Sequence, residues 1–118
     1  MANQLGQVVE QLRAFVAERD WAQFHDPKNL AMAVASEAGE LVAEYRWIPS
    51  HEADSWTAVE ENRRRAALEA ADIGIALLLF CDRAGVDLVS AMIEKMEINA
   101  RHYPAEVSRG QHSRPPRA

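Results

Sequence analysis

Cysteine, glycine and proline are all scarce: one, five and five among 118 residues. A single cysteine, Cys81, excludes an internal disulfide framework. It stands in a strongly apolar run and reads as a reduced core residue. A chain of this length buries roughly two thirds of its unfolded surface, so one domain needs no covalent staples. No apolar run approaches 18 residues, and no N-terminal apolar stretch resembles a signal peptide. A soluble, cytoplasmic chain without membrane contact is therefore expected. Basic residues are in the minority, 13 against 18 acids, for a net charge of −5. That balance argues against binding of a nucleic-acid polymer. It leaves open a small anionic ligand met by bound metal and a few local bases.

Glycine and proline are scarcest within the apolar stretches, where Ala, Glu, Leu and Arg dominate, and the patterning is helical. Leu5, Val8, Val9, Leu12, Phe15 and Val16 mark one face of a first helix. Asp20 to Pro27 interrupts it. A second helix is predicted from about Lys28 to Trp47, stopped by Pro49, and a third from about Thr57 to Arg83, stopped by Gly85. Asp87 reads as the N-cap of a fourth, running to about His102 before Pro104. The predicted fold is all-α, a four-helix antiparallel bundle over residues 1–104. From 105 to 118 the composition turns to Ser, Gly, Gln, Arg and Pro, which predicts a disordered, basic tail. Ile73 to Phe80 is apolar almost all round, and a homodimer or homotetramer is the simplest cover for it.

Two carboxylate pairs share one spacing, Glu37-x-x-Glu40 and Glu69-x-x-Asp72. Residues three apart are neighbours on a helix surface. The 28 residues between Glu40 and Glu69 allow a turn and an antiparallel return. At about 100° per residue, Glu37 falls close to Leu30, Leu41 and Glu44, and Glu69 close to Ile73, Ala76 and Phe80. Both pairs thus sit at the border of an apolar face. Four acids gathered there would need cations to remain ionised. The alternatives are a fully solvated face or an internal salt-bridge network. All-carboxylate ligation suits Mg²⁺ or Mn²⁺ over Zn²⁺. A di-iron bundle would want Glu-x-x-His, and no histidine stands at either i+3 position.

Other residues suit the remaining parts of a ligand. Lys95, Asn99 and His102 fall at i, i+4 and i+7, with Arg101 and Tyr103 beside them. They offer phosphate contacts, or else a solvated helix edge. Trp21, Phe24 and His25 lie in a connecting stretch, able either to stack on a base or to plug the bundle end. Trp47, seven residues after Glu40, lies on nearly the same helical line. Trp56 reads as packing.

In order, these residues form Trp21-x-x-Phe24-His25-x-Pro27-x-Asn29-Leu30, Glu37-x-x-Glu40-Leu41 with Trp47, Glu69-x-x-Asp72, Val86-Asp87-Leu88, and Lys95-Met96-Glu97-Ile98-Asn99-x-Arg101-x-Tyr103-Pro104. The pattern, over about residues 12–106, resembles the MazG-type all-α NTP pyrophosphohydrolases, and within them the dCTP pyrophosphatase branch. The resemblance implies a homodimer or homotetramer with sites near subunit contacts. It implies Glu37, Glu40, Glu69 and Asp72 as catalytic Mg²⁺ ligands, and Lys95 and Asn99 as triphosphate contacts. It places Trp21, His25 and Trp47 around base and sugar, and makes Asn29, Arg101 and Tyr103 further substrate-binding positions. Three departures touch base preference more than catalysis: Ala76 where relatives can carry tyrosine, Glu97 where close relatives carry aspartate, and the loop from Pro49 to Thr57.

The implied reaction is Mg²⁺-dependent hydrolysis of a deoxynucleoside triphosphate, dCTP-like, between the α and β phosphates. The products are the monophosphate and pyrophosphate, and the role is nucleotide-pool house-cleaning. Two other classes compete: a non-catalytic regulator that binds Mg²⁺ and nucleotide, and a helical oligomerisation module. The phosphoribosyl-ATP pyrophosphohydrolases share the acid logic, without an expected counterpart of the Trp21/His25 loop.

Overall fold

The computed structural model describes residues 3–112. Every regular element among them is helical: α1 (Gln4–Glu18), α2 (Pro27–Tyr45), α3 (Ala53–Ala58), α4 (Glu60–Ala84), α5 (Leu88–His102) and α6 (Ala105–Ser108). Short 3₁₀ turns at Ala22–Phe24 and Ser50–Glu52 precede α2 and α3. The fold is all-α. The chain groups into two compact units, Met1–Gly85 and Val86–Ala118.

The first unit is organised around α2 and α4, its most extensive helix–helix contact. Pro27 opens α2 at a position where the missing N–H costs nothing. The carboxylate of Asp26 caps the helix by accepting from the Asn29 backbone N–H at 2.9 Å. Such a cap contributes about 1 kcal/mol. Across the pair, Glu44 meets Arg65, while Glu37 meets Glu69 and Asp72. Nearer the other end, Leu30 and Leu79 line one cavity. One number falls as the other rises, so α2 and α4 run antiparallel. α1 lies along α4 in the same direction, with Val8 beside Ile75 and Arg13 bound to Asp82. Arg13 Nε donates to both Asp82 oxygens at 3.1 Å.

The third predicted helix begins differently. It was expected to run unbroken from Thr57, but Val59 adopts extended backbone at ψ 126° and separates α3 from α4. The Asn62 side-chain amide donates to the Trp56 carbonyl at 3.0 Å and fixes the break. Glu60 and Glu61 then occupy the first turn of α4, where the helix dipole favours negative charge. Trp56 packs edge-on against Tyr45, ring centroids 4.9 Å apart, and the Tyr45 hydroxyl pairs with Thr57 at 2.7 Å. α4 ends at Gly85, whose φ of +71° is a left-handed conformation that glycine adopts without Cβ strain.

Among the described residues, the buried apolar core is small: Val16, Leu30, Ala76 and Cys81. Most of the apolar segment 73–80 is only half buried, with Ile75 exposed. No helix among the described residues is long and apolar enough to cross a membrane.

In the second unit, the Asp87 carboxylate accepts from the Ser90 N–H at 3.1 Å and caps α5, as its sequence position implied. No residue of α5 is buried, and Val89, Met92, Ile93 and Met96 are exposed. The region expected to be a disordered tail begins with one helical turn, α6. Its last six residues, 113–118, lie outside the described ones.

Candidate functional site

Midway along the α2–α4 pair, one carboxylate oxygen from each of Glu37, Glu69 and Asp72 lies within 4.8 Å of the others. Glu37 comes from α2, and the other two stand one turn apart on α4. Glu37 and Glu69 are half buried and Asp72 is exposed, the border position that the helical angles implied. Glu40 is exposed and outside this triad, although its charge still acts on Glu69. The Glu69 carboxyl is pushed above the ordinary glutamate range, first by partial desolvation, then by the negative charges of Glu40, Asp72, Glu44 and Glu37. Among the described residues, no ion pair includes Glu37, Glu40, Glu69 or Asp72. Converging, partly desolvated oxygens without a protein cation are a donor set suited to a hard divalent ion.

The aromatic candidates separate. A cavity of about 460 Å³ lies between α1 and α4, lined by Leu12, Phe15, Trp21, His25, Ile75 and Leu79 among others. Ile75 and Leu79 follow Asp72 by three and seven residues, so the cavity continues the acid-bearing stripe of α4. Trp21 packs edge-on against Phe15, centroids 5.7 Å apart. Arg19 stacks on the same Phe15 ring, its guanidinium carbon 3.6 Å from the centroid. A second cavity of about 270 Å³ shares Val16, His25 and Leu79 with the first and adds Arg13, Leu30, Asp82 and Arg83. His25 therefore stands between the two.

Trp47 lies elsewhere. It is 83% exposed, just past the end of α2, with Arg46 5.4 Å from its ring centroid. It lines an open depression with Ile48, Pro49, Glu52, Ser55 and Trp56. From Ile75 back to the start of α4 is already roughly 20 Å. Trp21 and Trp47 thus occupy opposite ends of the hairpin, and one chain does not place both on a single base.

Asn29 is engaged locally. Its side-chain amide donates to the Phe24 carbonyl at 3.2 Å and to Asp26 at 3.0 Å, tying down the loop that carries Trp21 and His25. In the second unit, Lys95 and Asn99 are exposed one turn apart on α5, with Arg101 exposed in its last turn. The Asn99 carbonyl accepts from the Tyr103 N–H at 2.7 Å, and the Tyr103 ring lies edge-on to His102. Sequence reasoning missed two participants on α2–α4 and α1. One is the ion pair of Arg65 with Glu44, 2.9 Å across the hairpin. Its only linear trace is spacing: Glu44 four after Glu40, Arg65 four before Glu69. The other is Phe15, read only as part of the apolar face of α1 and found on the cavity wall.

No family model matches the chain. It is similar to dCTP pyrophosphatase 1 of Bos taurus, 45% identical over 100 residues, covering 81% of this chain and 57% of that protein. It is similar to dCTP pyrophosphatase 1 of Homo sapiens at 43% identity, covering 80% and 56%. The chain therefore spans a little over half the length of these curated relatives. Among solved structures, a pyrophosphatase from Archaeoglobus fulgidus superposes with a TM-score of 0.80 at 33% identity, covering 88% of this chain and 95% of that one.

Proposed function

Because the chain belongs to the MazG-type all-α NTP pyrophosphohydrolases, we propose that it hydrolyses a deoxynucleoside triphosphate, with dCTP favoured, to the monophosphate and pyrophosphate. The observation that carries this reading is the meeting of Glu37, Glu69 and Asp72 within 4.8 Å without a protein counter-ion. These three, with Glu40 beside them, would hold Mg²⁺, or Mn²⁺ in its place. A cation bound there supplies charge neutralisation for the phosphates and a more acidic water. Glu37 or Glu40 orients the attacking water and takes its proton. The water oxygen bonds to the α phosphorus as the bond from that phosphorus to the bridging oxygen breaks. The pyrophosphate leaves with that oxygen.

The base sits in the Trp21/His25 cavity, where stacking on an aromatic face contributes about 1–3 kcal/mol. Asn29 keeps that loop in place. Trp47 reaches a base only through a second copy of the chain, which accords with a homodimer or homotetramer having sites near subunit contacts. Lys95 and Asn99 steady the phosphate tail, with Arg101 and Tyr103 as further contacts; the resemblance carries these four assignments. The cellular role is removal of excess or non-standard dNTPs in the cytoplasm.

A substrate panel tests the reading. Purified protein is incubated with each dNTP, each NTP and 5-methyl-dCTP, in Mg²⁺ or in EDTA, and the products are separated. Monophosphate plus pyrophosphate in Mg²⁺ alone is expected, fastest with a cytosine deoxynucleotide. Diphosphate plus phosphate would overturn the bond assignment. Absence of any product would favour a regulator that binds Mg²⁺ and nucleotide without turnover.

A further inference from the structure

Glu44 differs from every other acid near the site. It lies seven residues after Glu37 and four after Glu40, so it falls on the same stripe of α2. Its side chain is 16% exposed, yet it alone of these acids has a cation: Arg65 Nη2 approaches Glu44 Oε2 to 2.9 Å. Arg65 stands one turn before Glu69 on the facing helix. The pair thus bridges α2 and α4 immediately beside the acid triad. A further unpaired carboxylate here, with a new choice of rotamer open to it, would add negative charge beside the same cation. We propose that Arg65 is a positioning residue of the cation site: by holding Glu44 it keeps this carboxylate out of the Glu37/Glu69/Asp72 ligand set and limits how tightly the site holds a divalent ion.

The proposal rests on the cation-site reading above. The electrostatic influence of Glu44 on Glu69 agrees with their proximity. The consequence is a pair of opposite signs. Removing the arginine charge leaves one more negative group near the cation and tightens binding. Removing the glutamate charge leaves an unpaired guanidinium and weakens it. At roughly 8–10 Å with water-like dielectric and salt screening, one unit charge changes affinity for a divalent ion about three- to fivefold. A brace that merely joins two helices predicts something else: both variants would weaken binding together, in step with lost stability.

The test is a Mn²⁺ titration of the full chain by electron paramagnetic resonance, with no nucleotide present, alongside Tm in EDTA. The variants are Arg65→Gln, Glu44→Gln, the double variant, and Arg65→Lys, which keeps the charge. Arg65→Gln should bind Mn²⁺ about three- to fivefold more tightly, and Glu44→Gln more weakly by a similar factor. The double variant and Arg65→Lys should lie close to wild type. Equal weakening in both single variants, or no change in either, would overturn the proposal while wild-type binding leaves the cation site standing. If the wild type itself binds no Mn²⁺, the cation site fails and this inference fails with it.

Discussion

The two ends of the α2–α4 hairpin carry similar residues and behave differently. At one end, Trp21 and His25 line a cavity between α1 and α4 that continues the acid stripe past Asp72. At the other, Trp56 packs on Tyr45 while Trp47 projects, 83% exposed, over an open depression. The difference is one of backing. Trp21 has α1 beside it and a loop tied down by Asn29 and Asp26. Trp47 follows the last turn of its helix, and no described residue of the same unit buries it. The proposed base platform therefore falls to Trp21, around which neighbouring elements build walls.

The largest effect should come from the middle, which neither end can replace. Glu37→Gln or Asp72→Asn removes one oxygen donor from the triad. Turnover should fall more than about a thousandfold, measured as pyrophosphate release in saturating Mg²⁺. Wild-type rates in both variants would sink the cation assignment. Next comes the walled end. Trp21→Ala should raise KM for dCTP about tenfold with a smaller change in kcat, since stacking acts on ground state and transition state alike. Trp47→Ala should raise KM by less, and should leave Tm nearly unchanged because the ring is exposed in its own chain. A loss of Tm without a change in KM would make Trp47 a packing residue and confine the base to the other end.

The smallest effect concerns the ion pair that fastens α1 to α4 beside the cavity. The hydrogen bond from Arg13 lowers the Asp82 carboxyl below its ordinary 3.8, burial opposes this, and the arginine charge lowers it further. The folded state therefore releases this proton more readily than the unfolded chain. The stabilisation is fully present above the ordinary aspartate value and is lost as pH falls through the depressed folded-state value. Asp82→Asn should lower Tm slightly at pH 7, and the gap to wild type should close in acid. A gap that persists unchanged to low pH would assign the effect to packing instead of charge.

Much of this was legible in the sequence because it depends on short-range geometry. Spacing of three placed Glu69 and Asp72 on one face, and the angles of Glu37 to Leu30 and of Glu69 to Ile73 placed the acids of both helices at the edge of an apolar stripe. Asp87 and Gly85 announced a helix start and stop through local backbone chemistry. What escaped notice depends on contacts far apart in sequence or on side-chain choice. The break at Val59 arises because Asn62 reaches back to the Trp56 carbonyl, in a stretch whose residues otherwise favour helix. Glu40 shares the helix turn of Glu37 but not its triad, because spacing fixes a face and leaves the rotamer open. The separation of Trp21 from Trp47 follows from the antiparallel course of α2 and α4, which no single helical wheel can show. Arg65 escaped because its partner lies on the other helix.

The most direct test of the central claim is a crystal structure of the chain with Mn²⁺ and a dCTP analogue carrying an imido link between the α and β phosphates. Anomalous scattering locates the ion independently of the nucleotide. Mn²⁺ is expected among Glu37, Glu69 and Asp72, with the cytosine in the Trp21/His25 cavity and any contact from Trp47 made by a second copy. Mn²⁺ away from these acids, or a base seated over Trp47 of the same chain, would contradict it.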